Sequence, residues 1–571
     1  MNSPLLPVPG RAVFRGWLAV AALILAAPTR AAVSPGPAAQ PAVNLSDYRV
    51  VLHVDQARGD DIKGDGSLKR PYAGVVAALE AAGRPEAGAR VAVLVSAGRY
   101  RQPTFALKSH VDLFGGYASP GGSRDIYRHA TVLDGEGRQR IAFGADHARI
   151  DGFHFVDGQV RGKGAALLCD GTSPSVTHCV FVGNRTLIPL PWNPPLLHET
   201  AHDGGAIMVL NGGAPRIAHC LFYSNTTECG RGAALAADRG ARPQVVANVF
   251  TNNRAGLDDP MRSSDGGAVS FFDGSGGVFE DNVVVANESL TRNDAGGVFV
   301  ALWSAPAIRR NVIVANESGD DAGGLFLGGQ EHRYDAPLDP YPPADRFEIL
   351  VEGNLFVGNA NSSRNSGAMR VTMESRARFQ DNVIAENAGG FYLQRSEIVA
   401  ERNTVWQEWR FLEDKAGLGP SRFTGNILKG PADAVEARVT FSGNMAGPGV
   451  PGGPHRPVED VFLADGLRGG LSDLRFDPAT LTTVLTAKEL LPAGVDFAGR
   501  AIKLADNLAK GGQWRVIARA SGTEIVIWGR LDAVTKAPAL FEILRTFTPK
   551  PDVPAGLGAR RKQGAPATNG T

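Results

Sequence analysis

Asp265-Gly266-Gly267-Ala268-Val269 opens a pattern that runs on to Asp281-Asn282-Val283-Val284-Val285-Ala286-Asn287. The pattern is a Gly-Gly pair, a short apolar strand, a turn and a second apolar run that carries two Asn positions. The second Gly recurs at Gly205, Gly267, Gly297, Gly324, Gly367 and Gly390. The first Asn position reads Cys179, Cys220, Asn248, Asn282, Asn311, Asn354, Asn382, Asn403, Asn426 and Asn444, and the second reads Asn184, Asn225, Asn253, Asn287, Asn316, Asn359 and Asn387. A repeat of roughly twenty to forty residues is typical of a solenoid.

Apolar residues recur at fixed places in each repeat and predict three parallel sheets around one core. Residues two and four places after the second Gly should point inward, for example Val269 with Phe271, Phe299 with Ala301, and Phe326 with Gly328. Two further apolar stacks lie three residues before and two residues after the first Asn. The Asn columns then fall at corners, where stacked amides hydrogen-bond along the column and satisfy backbone groups.

The amino-acid composition gives information on the binding partner and on the fold. The chain has 571 residues, 70 of them Gly, and a net charge of +1. A balanced charge gives no reason to expect a nucleic acid or an anionic membrane surface as partner. Frequent Gly suits a fold of thin coils with many tight corners.

The first residues predict a secretory signal peptide. Arg11 and Arg15 form its positive region, and Trp17 to Ala27 form an apolar core that is too short to span a bilayer stably. Small residues predict cleavage near Ala31. The alternative is an uncleaved N-terminal anchor. Export would place the protein in the periplasm, outside the cell or on a bacterial cell surface.

Two of the four cysteines occupy the same repeat position. Cys179 and Cys220 stand where later repeats carry Asn. Stacked coils lie about 4.8 Å apart, which is within the usual Cα separation of a disulfide. The sequence therefore leaves two alternatives, a Cys179–Cys220 disulfide or two stacked buried thiols.

The N-terminal part of the solenoid carries recognisable motifs. The strand Val50 to Asp55 is followed by an Asp-rich loop, and Pro71 to Ala82 has helical periodicity that predicts a cap on the open end of the solenoid. With the later AGRY, LFGGY, TVLDG and IDGFHF motifs, this opening resembles secreted right-handed parallel β-helix proteins of the pectate-lyase-like superfamily. The GGA(I/V) and FxxN units also resemble the repeats of polymorphic outer-membrane proteins, which are β-helical surface proteins.

These patterns predict an all-β chain with an N-terminal capping helix. We expect a signal peptide over 1–32, a disordered lead-in over 33–49, a right-handed parallel β-helix over 50–445, a Gly/Pro linker over 446–457, a small β module over 458–548 and a disordered tail over 549–571. Alternating strands at Gln513 to Ala518 and Glu524 to Gly529 predict the β module.

Loop length varies at one corner only, between the second Asn and the next Gly-Gly. Loops that protrude from a rigid scaffold are where function is usually placed. The catalytic candidates in this region are Asp258, Asp259, Arg262, Asp265, Arg292 and Asp294. The substrate-binding candidates are His202, Asp203, Glu288, Glu317, Asp321 and Arg370, and the oxygen ligands for a possible Ca²⁺ are Asp258, Asp259, Asp294 and Asp320. Each of these acids could instead be solvated or cap a loop.

The resemblance implies action on polysaccharide. Lyases of the superfamily neutralise a uronate carboxylate with a cation or Arg and abstract a proton with a Lys or Arg, whereas hydrolases use carboxylates. No lysine occurs between Lys163 and Lys415, which disfavours a Lys-base lyase. The alternatives are a non-catalytic carbohydrate-binding or adhesion β-helix and a purely structural envelope protein. We expect a monomer in each case.

The outward face of the Gly-Gly strands is predicted to be unusually apolar and to be interrupted only by Arg370 and Ser270; its apolar members are Met208, Val300, Leu327, Leu210, Phe272 and Leu302. A bare face of this kind would be a large apolar patch. We expect it to be covered by the loop Arg185 to His202, by the insertion Gly329 to Arg346 or by the C-terminal region. The alternative is a sugar-stacking surface that includes Trp303.

Overall fold

The computed structural model describes residues 36, 42–188, 202–257, 264–290, 292–329, 348–407, 409–412, 420–429, 432–435, 439–447, 462–509, 511–531, 538–551, 553 and 557–559. From Val50 to Ala446 the described chain winds through parallel strands that pair with the coils before and after them. This is the right-handed parallel β-helix that the repeats predict. The Gly329 to Arg346 insertion, apart from Gly329, and the predicted signal peptide over 1–32 lie outside the described residues.

Each full coil visits four sheets in a fixed order. Sheet 1, which precedes the first Asn corner, has 14 described strands. These are Val50–Val54, Val91–Ser96, Val111–Tyr117, Arg149–Asp151, Ser175–Thr177, Arg216–Ala218, Gln244–Val246, Val278–Glu280, Ala307–Arg309, Ile349–Glu352, Arg376–Gln380, Glu397–Glu401, Ser421–Thr424 and Val439–Ser442.

Sheet 2 lies between the two Asn corners and has 13 described strands. These are Gly98–Tyr100, Thr131–Asp134, His154–Val156, Val180–Val182, Leu221–Tyr223, Val249–Thr251, Val283–Val285, Val312–Val314, Leu355–Val357, Val383–Ala385, Thr404–Trp406, Ile427–Lys429 and Met445–Ala446.

A short sheet with 7 described strands follows the second Asn corner. Sheet 3, which carries the Gly-Gly strands, has 12 described strands. The short sheet is Gln159–Val160, Arg185–Thr186, Thr226–Thr227, Arg254–Ala255, Glu288–Ser289, Glu317–Ser318 and Ala360–Asn361. Sheet 3 is Phe105–Ala106, Ala142–Phe143, Leu167–Asp170, Ile207–Leu210, Leu235–Ala237, Val269–Phe271, Val298–Val300, Leu325–Gly328, Met369–Thr372, Phe391–Leu393, Trp409–Leu412 and Ala432–Val435. The short sheet adds a fourth side to the three that the sequence predicts.

Stacked asparagines hold the two corners, as predicted. At the first corner, Asn282 Nδ2 donates to Asn311 Oδ1 at 3.0 Å and to the backbone of Val245, and the pattern continues to Asn444. The residue before each Asn adopts a left-handed backbone, for example Asp281 and Ala286. The second ladder ends on Gln407, whose Oε1 accepts from Asn387. A Gln at this place was missed because the repeat was read from Asn alone.

Cys179 and Cys220 are free, buried thiols on adjacent rungs of the first corner. The strands on either side pair in register, Thr177 with Ala218 and Val180 with Leu221. Cys179 Sγ donates to the Thr177 carbonyl at 3.2 Å and Cys220 Sγ to the Ala218 carbonyl at 3.4 Å. The second of the two alternatives, stacked thiols in place of Asn, is therefore the one present.

In two coils of sheet 3, the side chains point to the opposite face of the strand from the one predicted. Val269 pairs with Val298, and Val298 pairs with Leu325, so Gly297 lies beside Ala268 rather than beside Gly267. Val298, Val300, Leu325 and Leu327 therefore belong to the core. The predicted inward positions of Phe299 and Phe326 and the predicted outward positions of Val300 and Leu327 are wrong. These coils read Asp-Ala-Gly-Gly, and a shift of one residue moves side chains to the opposite face of a strand.

The N-terminal end is capped as the sequence predicts. The helix Val75–Ala82 contacts the first two strands of sheet 1 and buries Val75, Ala78 and Leu79 in the common core. The free edge of Val50–Val54 is paired by the following loop, since His53 N–H donates to the Gly66 carbonyl and Tyr72 N–H to the His53 carbonyl. Pairing the edge removes a site for aggregation.

Part of the lead-in over 33–49 has regular structure. A 3₁₀ helix spans Leu45–Asp47, and the Tyr48 hydroxyl donates to Asp112 at 2.7 Å. Gly36 is buried, and its N–H donates to the Ala247 carbonyl at 2.8 Å. These residues differ from the disordered segment that the composition predicts.

The C-terminal strands form a closed antiparallel barrel. In order around the barrel they are Leu467–Asp477, Thr482–Ala487, Glu524–Trp528, Gln513–Ser521, Ala501–Ala505 and Leu540–Ile543. The barrel has its own core, which includes Leu485, Ile502, Ile525 and Phe541. Closure leaves no free sheet edge.

The barrel packs on the outer face of sheet 2. One apolar cluster joins Val283, Val312 and Leu355 of the solenoid to Trp514 and Val516 of the barrel. The C-terminal region was one of the three predicted covers of the Gly-Gly face, but the described barrel strands pack elsewhere. Met208, Phe299 and Phe326 of that face are nevertheless buried. Most of the two loops expected to cover it lies outside the described residues.

Candidate functional site

Charged residues form a column where the variable loops return to sheet 3. Asp203, Arg231, Asp265, Asp294 and Asp321 all lie four residues before the paired positions Ile207, Leu235, Val269, Val298 and Leu325. Backbone hydrogen bonds run along the column from Gly232 to Asp265, from Gly266 to Asp294 and from Ala295 to Asp321. We call Asp203, Asp265, Asp294 and Asp321 the aspartate column.

One oxygen of three column carboxylates is used by the scaffold. Asp203 Oδ1 accepts from Arg231 N–H at 2.8 Å, Asp265 Oδ1 from Asp294 N–H at 2.8 Å, and Asp294 Oδ1 from Asp321 N–H at 3.0 Å. These bonds fix each carboxylate relative to the next coil.

Asp294 lies between Asp265 and Asp321 in the aspartate column, and its carboxyl is strongly perturbed. Its pKa is raised well above the usual range, first by burial and then by the neighbouring Asp265 and Asp321, with a smaller contribution from Asp320. Rungs lie about 4.8 Å apart, and two unit charges at that distance repel by about 3 kcal/mol at an effective dielectric constant of about 20. Repulsion of this size favours keeping a proton on the middle carboxyl.

Cations flank the aspartate column at its N-terminal end. Arg231 Nη2 lies 3.0 Å from Asp203 Oδ2, and its guanidinium lies 3.4 Å from the centre of the Phe272 ring. Lys163 Nζ lies 3.8 Å from Asp203 and 3.5 Å from Asp238. Burial raises the pKa of Asp238, and Arg231 and Lys163 oppose that rise.

Arg370 lies at the other end of the column and forms an ion pair with Asp321 Oδ2. Burial raises the pKa of Asp321, whereas Arg370 lowers it. The aspartate column thus has cations at both ends and, near its middle, a carboxyl whose pKa is raised. Such an arrangement can provide a proton donor and an ionised carboxylate on neighbouring coils.

The structure brings together some of the sequence-predicted site residues and separates others. Asp203, Asp265, Asp294, Asp321 and Arg370 meet at the column. Glu288 and Glu317 lie on the outward row of the short sheet, where Arg254 Nε pairs with Glu288 at 3.0 Å. Arg292 and Asp320 are exposed. Asp258, Asp259 and Arg262 lie outside the described residues.

His202 is placed in the interior rather than towards a substrate. Its side chain is fully buried, and burial lowers its pKa. Its backbone carbonyl accepts from the Thr186 hydroxyl. These contacts give His202 a role in fixing the start of the Gly-Gly strand, which differs from the predicted substrate contact.

The predicted cation ligands do not form a metal site within the described part of the chain. There, no group of three or more His, Cys, Asp or Glu side chains is placed to hold a metal ion. Asp258 and Asp259, two of the four predicted ligands, lie outside that part. The same described residues contain no helix that is both long and apolar enough to cross a bilayer.

Sequence reasoning missed Arg231, Lys163 and Asp238. Arg231 interrupts the run of aspartates at the column position, and Lys163 holds the equivalent place one coil before Asp203. Aligning the repeats on the strand rather than on the Gly-Gly pair would have found both, since the Gly-Gly pair shifts by one residue between coils. Asp238 needed the fold, because it approaches Lys163 across the face of sheet 3.

Comparisons with known proteins address the fold. A family model described as "Right handed beta helix region" matches residues 128–319. The chain is also similar to a solved structure described as "Geobacillus virus E2 - ORF18", with 11% identity over 86% of this chain and 78% of that chain and a TM-score of 0.17. No curated protein matches the chain.

Proposed function

We propose that this protein acts on polysaccharide by hydrolysing a glycosidic bond at the aspartate column. The observation that carries the proposal is Asp294, a carboxyl crowded between Asp265 and Asp321 with its pKa raised well above the usual range. Glycoside hydrolysis needs one carboxylic acid and one carboxylate on either side of the scissile bond. Asp294 is suited to be the acid and Asp321, paired with Arg370, to be the carboxylate.

The proposed reaction passes through a covalent intermediate, since adjacent rungs about 4.8 Å apart suit the short carboxyl separation of retaining hydrolases. Asp294 donates its proton to the glycosidic oxygen as the bond from that oxygen to the sugar carbon breaks and an Asp321 carboxylate oxygen bonds to that carbon. Water then displaces Asp321 from the sugar carbon and gives a proton to Asp294, which restores both groups and consumes one water molecule per bond. General acid–base catalysis of this kind contributes about 10²–10⁴-fold to a rate.

Hydrolysis is favoured over elimination on the residues present. An eliminating lyase needs a base of the Lys or Arg type beside a neutralised uronate carboxylate. No lysine occurs between Lys163 and Lys415, and both described arginines of the column are paired with aspartates. Such pairing opposes release of a proton from the guanidinium.

The second candidate is a binding or adhesion protein without chemistry. It is supported by the Oδ1 atoms of Asp203, Asp265 and Asp294, which accept backbone N–H groups of the next coil, much as the ladder asparagines accept those of the preceding coil. On this reading the column is a polar ladder of the scaffold. The protein would then bind polysaccharide without cleaving it.

A panel of neutral and acidic polysaccharides separates these candidates. The full-length protein should release reducing ends from at least one substrate without unsaturated-product absorbance, with and without calcium. Asp294→Asn should lower the rate by about 10²-fold or more while leaving binding intact. The matched control is Asp146→Asn, which changes an exposed carboxylate that also accepts a backbone N–H.

Three outcomes contradict the hydrolase proposal. Unsaturated products would show elimination. Binding to a polysaccharide with no product from any substrate would favour the binding candidate. A rate unchanged by Asp294→Asn would remove Asp294 from the reaction.

We also propose that the protein is exported and monomeric. The positive and apolar segments that precede Ala31 support export. N-terminal sequencing of protein from a periplasmic or extracellular fraction tests cleavage near Ala31, and light scattering tests the monomer. Full-length protein retained in the membrane fraction would favour the uncleaved anchor.

A further inference from the structure

Arg370 is held on three sides. One end of its guanidinium pairs through Nη1 with Asp321 Oδ2, and the other donates through Nη2 to Gln394 Oε1 at 2.8 Å. Its planar face lies 4.6 Å from the centre of the Tyr392 ring. Tyr392 pairs with Arg370 in the next coil, so the contact is built into sheet 3. The side chains of Arg370 and Asp321 are 18% and 19% exposed.

These contacts occupy most of the guanidinium surface through which Arg370 could bind a substrate. Both terminal nitrogens already have acceptors, and one face is stacked on an aromatic ring. Guanidinium groups prefer planar contacts of this type, and the planar fork loses little freedom when it is held. The prediction that Arg370 binds substrate directly is therefore less well supported than a role through Asp321.

We infer that Arg370 is a positioning residue, which holds Asp321 in the ionised form and thereby leaves the proton of the aspartate column on Asp294. Arg370 is an ion-pair partner of Asp321 and not of Asp294. Asp294 and Asp321 are neighbours in the column, joined by the bond from Asp321 N–H to Asp294 Oδ1 at 3.0 Å. The cation at one rung therefore decides which of two adjacent carboxyls carries the charge.

The other charged groups nearby favour the same division. The described carboxyls that act on Asp294 are Asp265, Asp321 and Asp320, and all three oppose its ionisation. The pKa of Asp321 is also raised, first by burial and then by Asp320, whereas Arg370 lowers it through its charge and its hydrogen bond. An opposite charge within about 4–6 Å lowers the pKa of a carboxyl by about 1–3 units.

The catalytic role of Arg370 rests on the proposed function, whereas its effect on the protonation of Asp294 and Asp321 does not. If Asp294 is the proton donor, Arg370 sets the two roles without touching the substrate. If the column has no catalytic role, Arg370 still fixes the protonation of two partly buried carboxyls. The experiment is chosen to read protonation directly, so that failure of the hydrolase proposal and failure of this one are distinguishable.

The test is a pH titration of the carboxyl groups by difference infrared spectroscopy on the full chain without substrate. Asp294→Asn and Asp321→Asn identify the two signals. In the wild type, the protonated-carboxyl signal near neutral pH should be lost in Asp294→Asn and retained in Asp321→Asn. In Arg370→Met, the midpoint of Asp321 should rise by about 1–3 pH units. Arg370→Lys should restore part of that shift because it keeps the charge.

Arg402→Met is the matched control. Arg402 also forms a two-bond pair with an aspartate, Asp381, at 3.1 and 2.9 Å, but it lies at the first Asn corner. If Arg402→Met moves the Asp321 midpoint as much as Arg370→Met does, the inference is overturned. Loss of the near-neutral signal in Asp321→Asn instead of Asp294→Asn would overturn it too. Gln394→Ala, which removes one support of the guanidinium, should give a smaller shift in the same direction if Arg370→Met does not fold.

Discussion

At the residue scale, Asp294 combines a structural and an electrostatic role. Its Oδ1 accepts the Asp321 N–H at 3.0 Å, which an Asn side chain could also do. Its charge, by contrast, is opposed by burial and by Asp265, Asp321 and Asp320. The scaffold therefore requires the acceptor oxygen and not the negative charge, and the negative charge destabilises the column.

This separation predicts a pH-dependent stability effect for Asp294→Asn. A carboxyl whose folded pKa is raised binds its proton more tightly in the folded state, so it stabilises the fold at low pH and loses that contribution as pH rises through the folded pKa. Asn has no such dependence. Asp294→Asn should therefore be more stable than wild type at pH 8, by about 1 kcal/mol or more, and the difference should shrink towards pH 5.

Urea unfolding at the two pH values measures this effect, with Asp146→Asn as the exposed control. A variant that is less stable than wild type at pH 8 would contradict the prediction. That outcome would mean that the ionised Asp294 carboxylate stabilises the fold. The same dependence predicts that any activity requiring protonated Asp294 falls as pH rises.

At the element scale, the asparagine ladders satisfy the backbone hydrogen-bonding groups at the corners of the solenoid. Asn311 Nδ2 donates to the Phe279 carbonyl and to Asn354 Oδ1, both at 2.9 Å, while its Oδ1 accepts from Asn282 N–H at 2.9 Å. One side chain thus satisfies groups on the coils before and after its own. Leaving a buried backbone group unsatisfied costs about 1–3 kcal/mol.

Asn311→Ala should therefore destabilise the solenoid by about 2–5 kcal/mol, because it leaves the Asn282 N–H and the Phe279 carbonyl without partners. Hydrogen exchange should accelerate first at Asn282 and in the adjacent strands, since each coil contacts only its neighbours. Asn211→Gly is a suitable control because Asn211 is exposed and has a positive φ that Gly accepts. Equal protection of Asn282 in both variants would show that water or a local shift replaces the ladder.

At the scale of the whole molecule, the barrel and the solenoid share one apolar interface. Trp514 of the barrel lies against Gly358, where an added Cβ would come within 2.2 Å of the indole. Arg530 N–H donates to Asn252 Oδ1 at 3.2 Å, and the Tyr223 and Phe476 rings lie 6.2 Å apart. Sheet 2 therefore has both faces buried where the barrel covers it, the inner one in the solenoid core.

Trp514→Ala should weaken the interface by about 3–5 kcal/mol, as for other buried aromatic residues. Exchange should then increase at Val312–Val314 and Leu355–Val357 on sheet 2 while the barrel core around Ile525 stays protected. Leu490→Ala is the control, since Leu490 is 79% exposed on the barrel. Unchanged protection of sheet 2 in Trp514→Ala would indicate that other contacts hold the barrel in place.

The structure of the coil could be predicted from the sequence more completely than the residues of the candidate site. Asn282 and Asn287 predicted two corners correctly, since the same contacts recur at every repeat and the periodicity reports them. Phe299 and Phe326 were assigned to the wrong face because the Gly-Gly pair of the Asp-Ala-Gly-Gly coils lies one residue closer to the strand. The column was found only in part, because Arg231 and Lys163 do not look like members of an acidic repeat.

The sequence by itself determined the repeat, the parallel strands, the Asn corners and the capping helix, because in a solenoid each of these depends on residues within one coil or its neighbour. Tertiary structure alone decided that the barrel packs on sheet 2 and that Arg370 pairs with Asp321 and not with Asp294. Both depend on how surfaces from separate parts of the chain meet. No periodic pattern encodes such a meeting, since it is set by side-chain shape and charge at single positions.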